Sequence, residues 1–127
     1  MDLREHEPDF TLADFKLLAY GRHFRMDGRV RMVVGRDKRE NEILGKLVQP
    51  GDVRLHMADM EGPLGIVRGA PTAEMLHTCA SILARYSRAR SQESARVTVI
   101  AGGKKQLIEI RPARDEECAK YRISEVE

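Results

Sequence analysis

Apolar and polar residues alternate with period two over Arg29–Val34, placing Val30 and Met32 on one parity and Arg29 and Arg31 on the other. Upstream, Phe15–Met26 looks extended, with Phe15, Leu17 and Ala19 sharing a parity, and Asp27-Gly28 is a turn signal. Together these predict a β-hairpin whose valines and methionine face inward and whose arginines face out. Gly35 breaks the strand, and the Asp37-x-x-Glu40 capping box opens a helix with Ile43, Leu44, Leu47 and Val48 along one side. Pro50-Gly51 ends it. Asp52–Met57 alternates again: Val53, Leu55 and Met57 share the buried face, and Arg54 and His56 the polar one. Gly62-Pro63 turns the chain into a short strand, Leu64–Arg68, and Pro71-Thr72 starts the strongest helix of the sequence. Met75, Leu76, Cys79, Ile82, Leu83 and Tyr86 form its stripe. Ser87–Ser94 holds no apolar residue except Ala89 and reads as a mobile Ser/Arg stretch. Arg96–Ile100 and Gln106–Arg111 then read as strands joined across Gly102-Gly103, and Asp115–Arg122 as a short helix.

The order ββαββαββα predicts an α+β fold: a mainly antiparallel sheet with two or three helices packed on one face. Residues 1–14 are acidic, carry Pro8 and show no sustained period, so they read as a lead-in segment or linker to a single domain over 15–127. At 127 residues, 42% hydrophobic and 33% charged, the chain has the makeup of one globular domain. No apolar run approaches the roughly 20 residues of a membrane span. Cys79 and Cys118 lie far apart without a CxxC, which suits a reducing cytoplasm better than a disulfide or zinc framework.

Charge adds what periodicity does not show. The net charge is only +2, yet Tyr20–Arg39 and Ser81–Lys105 each carry a local +5, while Met1–Phe15 carries −4. Of the 22 basic residues, 16 are arginine, whose planar donor fork suits phosphate oxygens and base edges and stacks on rings. Taken alone, such charge is better explained by a solvated surface.

Catalytic constellations are few. Gly102-Gly103-Lys104-Lys105 lacks the glycine, the Ser/Thr and the following helix of a phosphate loop, so a hairpin turn is the better reading. The SGGxDS-type loop of PP-loop ATPases is absent as well. His56, Asp59 and Glu61 have the residue types of a metal site but match no ligand spacing, and isolated histidines near carboxylates are usually hydrogen-bonded pairs. Cys79 sits within the apolar stripe, where a free thiol behaves as a small hydrophobe rather than a nucleophile or sulfur carrier. No catalytic residue, metal or cofactor is assigned.

Two stretches carry a family likeness. One is Val33-Val34-Gly35-Arg36-Asp37-Lys38-Arg39-Glu40-Asn41-Glu42-Ile43-Leu44; the other is Gly51-Asp52-Val53-Arg54-Leu55-His56-Met57-Ala58-Asp59-Met60-Glu61-Gly62, closed by Gly65-Ile66-Val67-Arg68. In this order, with Ala84-Arg85-Tyr86-Ser87 after them, they resemble the NFACT-R domain, the RNA-binding module of the NFACT proteins of ribosome quality control. The likeness runs from about Phe15 to Arg111. Leu17-Leu18-Ala19-Tyr20-Gly21-Arg22-His23-Phe24-Arg25 resembles a subgroup appended to PP-loop ATPases similar to tRNA thiouridylases. It implies a C-terminal piece, with the ATP site on an upstream PP-loop catalytic domain. The chain departs from the family at Val34, often glycine there, and at Gly62-Pro63-Leu64, often Gly-Ser-His.

The resemblance implies a non-catalytic, cytoplasmic RNA-binding domain that docks tRNA for that enzyme, largely through Arg/Lys–phosphate contacts. The RNA-contacting residues are then expected to be Arg22, His23, Arg25, Arg36, Asn41, Arg54, His56, Arg68, Arg88 and Arg90. Tyr20 and His56 could stack on bases. Arg36, Arg54 and His56 would form a fixed recognition surface beside Gly35, and Arg88 and Arg90 a source of general attraction. Alternatively Arg36 and His56 pair with Asp37 or Asp59 and merely hold the turn. A protein-interaction module docking on its catalytic partner or on the ribosome is the competing class; a sulfur relay through Cys79 or Cys118 is a third.

Overall fold

The computed structural model of the protein describes residues 19–123. Its strands are β1 (Arg22–Asp27), β2 (Val30–Val34), β3 (Val53–Met57), β4 (Gly65–Arg68), β5 (Ala95–Ala101) and β6 (Lys104–Ile110). Three helices interrupt them: α1 (Lys38–Lys46), α2 (Ala73–Arg85) and α3 (Asp115–Tyr121). The strands form one sheet in the order β1-β2-β4-β3-β5-β6, antiparallel at every pairing. This is the expected α+β architecture with an antiparallel sheet. Residues 1–14, and the part of the first extended stretch before residue 19, lie outside the described residues.

Register explains the two faces of the sheet. Phe24 pairs with Met32 and Met32 with Val67, while Leu55 pairs with Val99. These side chains share a face, and α2 covers it with Cys79, Ala80, Ile82, Leu83 and Ala84. Thr72 caps α2 by accepting the Met75 amide at 3.1 Å. Gly65 lets the helix come close, since a Cβ there would stand 3.0 Å from Leu83 Cδ1. Cys118 of α3 joins the same core, so two helices share this face. The third, α1, takes part of the opposite face, where Leu44 is fully buried with Val33 and Ile66. Emptying such a site costs on the order of 2–5 kcal/mol.

Two expectations change. Arg31 does not face solvent: it is 4% exposed, because β2 lies between β1 and β4 and all five of its residues are buried. It stands in a lateral row with Arg25 and Arg68, and each of the three has a partner. Nor is Ser87–Ser94 a loose stretch. Ala89 is fully buried, and buried Ser87 donates its hydroxyl to Ala84 O at 2.7 Å while accepting the Ala89 amide at 3.0 Å. The amides of Arg90 and Gln92 then close successive turns onto Ser87 O and Ala89 O.

The outer edge of β1 is covered by the chain after α3. Arg122 bridges to Phe24, and the Ile123 amide donates to His23 O at 2.9 Å. On the opposite edge, Gly102 and Gly103 adopt positive φ in the β5–β6 turn, which confirms the hairpin read from the sequence.

Candidate nucleic-acid interface

At one end of the sheet β2 gives way to the Gly35–Asp37 turn, β3 to the loop of residues 58–64, and α2 to its terminal turn. An open cleft of about 760 Å³ lies between them. Six of the ten expected contact residues line it: Arg22, Arg36, Asn41, His56, Arg88 and Arg90. Met57, Met60 and Pro63 supply apolar surface, and Tyr86, Lys38, Asp37 and Glu61 complete most of the lining. Five cations thus line the cleft beside two carboxylates, and with Arg36 already paired to Glu40 the remaining balance still favours an anionic partner.

Local chemistry fixes these groups. The Asp37 side chain caps α1 by accepting the Glu40 amide at 2.8 Å. Glu40 does not return to the Asp37 backbone as a capping box would; it accepts the Arg36 amide at 2.9 Å. The Arg36 guanidinium adds Nε and Nη2 donors to the same carboxylate, at 2.9 and 2.5 Å. These Arg36 hydrogen bonds hold the Glu40 carboxyl down at about 2. Arg36 therefore pairs with Glu40, and neither Asp37 nor Asp59 is the partner. Asp59 is gripped by Arg96, whose guanidinium donates to both carboxylate oxygens and lowers the Asp59 pKa. His56 Nδ1 lies 3.2 Å from Met57 O; a carbonyl only accepts, so Nδ1 carries the proton.

Asn41 lines the cleft but works as a clamp. Its amide nitrogen donates to Gly62 O at 3.4 Å, and its Oδ1 accepts the Leu64 amide at 3.1 Å. The Gly35 amide adds a 3.0 Å bond to Leu64 O. Glycine is needed at position 35, since a Cβ there would sit 2.1 Å from Asn41 Oδ1.

The other four expected residues lie elsewhere. Arg68 forms a buried, two-bond ion pair with Asp52, at 2.8 and 2.7 Å, and also donates to Leu47 O. It ties β4 to the end of α1, a structural use rather than a contact surface. Arg25 donates to Gly28 O and closes the first hairpin. His23 Nε2 sits 2.8 Å from Tyr20 O. Arg54 is exposed on β3, on the same side of the strand as His56, but does not line the cleft, where Arg36 and His56 meet. Tyr20 packs beside the α1 cluster.

The aromatic group in the cleft is Tyr86, read from the sequence as core. The guanidinium of Arg22 lies over its ring, 4.6 Å from the centroid, and Phe24 packs tilted against it at 6.0 Å. The Tyr86 side chain acts on Cys118, opposing the rise that burial gives the thiol's pKa. The signal that could have found Tyr86 was its place at the helix end, just before the arginines.

The thiols do not suit sulfur chemistry. Cys79 is fully buried, and desolvation pushes its pKa up to about 12; burial raises Cys118 as well. Among the described residues there is no group of three or more His, Cys, Asp and Glu able to hold a metal ion. No helix among them is long and apolar enough to cross a membrane.

Arginine around a partly apolar, open cleft, beside a pinned aromatic ring, is the equipment of a module that holds an anionic, planar partner. Residues 21–122 match the model of the NFACT protein RNA binding domain, and the chain belongs to that family of RNA-binding domains. The fold is shared with the C-terminal part of the fibronectin/fibrinogen-binding protein of Streptococcus suis, with a TM-score of 0.72 and 20% identity. That similarity covers 82% of this chain and 50% of that one, so the chain spans about half the length of that structure. No curated protein matches the chain.

Proposed function

We propose that this domain binds tRNA through the cleft at the end of its sheet and docks it for an upstream PP-loop tRNA-modification enzyme. The observation that carries the reading is convergence. Arg22 and Arg36, from the first basic segment, meet Arg88 and Arg90, from the second, around one concave surface. The family supplies RNA as the partner class. The choice of tRNA, and of a PP-loop enzyme, rests on the likeness of Leu17–Arg25 to the thiouridylase-associated subgroup.

The test is a titration of tRNA into the protein between about 50 and 300 mM salt. Roughly three to five phosphate contacts give a slope of log affinity against log salt of about −2 to −4. Removing the domain from the full-length enzyme should then raise the KM for tRNA more than it lowers kcat. A salt-independent affinity, or none at low salt, overturns RNA docking. Tight association with the catalytic domain but no RNA affinity points to the protein-interaction role instead.

A further inference from the structure

The cleft carries more than a phosphate-binding surface needs. Cations that track a duplex backbone need no apolar floor between them, and carboxylates among them oppose the phosphates. Here Met57, Met60 and Pro63 line the cleft together with the arginines, and Asp37 and Glu61 share the lining. A nucleobase makes use of both features. Its faces stack on apolar and planar groups, and its amino groups donate to carboxylates.

The planar element is the Arg22–Tyr86 pair. Tyr86 is half-buried at the end of α2 and packed on its side by Phe24, so it backs the Arg22 guanidinium with a supported ring. Arg22 in turn lines the cleft and presents a plane of the kind on which bases stack. Arg88 and Arg90 stand on the turn braced by Ser87, with the first turn of α1 contributing to the same cleft through Lys38. A volume of about 760 Å³ falls within the roughly 300–1,000 Å³ of small-ligand sites. That leaves room for a nucleotide and part of its neighbours.

We propose that the cleft seats an unpaired nucleotide, its base on the Arg22–Tyr86 stack and its phosphate at Arg88 and Arg90. This deepens the RNA-binding reading above and rests on it. The domain would then recognise a single-stranded segment of its RNA, such as a free end or a loop, rather than a helical stem.

Three probes of matched phosphate number separate the possibilities: an adenosine pentanucleotide, a pentamer of abasic ribose phosphates, and a short blunt RNA duplex. Stacking of one base should make the base-bearing pentamer bind about 5- to 100-fold tighter than the abasic one, with the duplex nearer the abasic value. Arg22→Lys keeps the charge but loses the plane. It should remove most of that difference. Tyr86→Leu, checked by a thermal melt, is the second variant and should act in the same direction. Equal binding of base-bearing and abasic pentamers, or tighter binding of the duplex, overturns the nucleotide seat while tRNA binding stands. A full stacking difference retained in both variants overturns the assignment to Arg22 and Tyr86. If neither tRNA nor any probe binds at low salt, the RNA-docking reading falls together with the seat.

Discussion

The two ends of the sheet both carry arginine and use it in opposite ways. At one end Arg68 is buried against Asp52, with side chains 15% and 2% exposed, and closes the C-terminus of α1 through Leu47 O. At the other, Arg88 and Arg90 are exposed on a braced turn, facing a cleft. Arg68 ends β4 and Arg88 and Arg90 follow α2, yet the sequence offers all three as RNA contacts, so residue type alone does not tell a structural cation from an available one. What separates them is whether a carboxylate is delivered by the fold. Asp52 reaches Arg68 because β3 and β4 are paired antiparallel neighbours, which brings together residues 16 apart.

The largest effect should come from breaking the buried pair. Arg68→Ala leaves Asp52 buried without its cation and should cost about 3–5 kcal/mol of stability in denaturant unfolding. The RNA affinity of the molecules still folded should not change. A loss below about 1 kcal/mol would mean that the two ends do not differ as described.

Next is the pair at the turn. Glu40 has its carboxyl held near 2 in the folded protein, below its ordinary 4.5. Its stabilising contribution is complete above about pH 4.5 and is lost as pH falls toward 2. Wild-type stability should therefore decline more steeply over that window than that of Glu40→Gln. The difference should be on the order of 2 kcal/mol, reduced from the full linkage value because Arg36 is half exposed. Parallel pH profiles for the two proteins would remove the pair from the stability of the turn.

Arg88→Ala and Arg90→Ala sharpen the other side of the contrast. Each should weaken RNA binding by about 1–2 kcal/mol and leave the melting temperature unchanged, whereas Arg54→Ala, outside the cleft, should cost under about 0.5. A larger loss from Arg54 would move the contact surface to the open sheet face. Cys79→Ala should cost about 1 kcal/mol of stability with RNA affinity intact. The raised thiol should also react slowly with iodoacetamide in the native protein.

Much of this architecture is legible in local pattern. The Asp27-Gly28 hairpin, the alternation of Val53, Leu55 and Met57, and the stripe from Met75 to Leu83 each report a single element's inward face, which periodicity measures directly. Sheet order is a different matter. That β4 inserts between β2 and β3 is a long-range choice, and it buries Arg31 although its parity reads as solvent-facing. The same limit governs the site. Arg22, His56 and Arg88 come from separate segments, and only the folded strand ends bring them to one cleft. The apolar stripe also hid Tyr86, because a half-buried ring at a helix end satisfies the core pattern and the cleft at once. Ser87–Ser94 looked loose because hydroxyl-to-backbone bracing leaves no hydrophobic signature.

The closeness of Gly35 to the Asn41 amide makes positions 35, 41 and 62–64 a single heritable unit. A methyl group at 35 displaces the Asn41 oxygen, which releases the Leu64 amide and with it the loop that carries Glu61 and Pro63 into the cleft. Once Asn41 has been replaced by a smaller residue, that collision no longer exists and the glycine is under less constraint. Substitutions here are therefore epistatic: the order in which they arise decides which are tolerated.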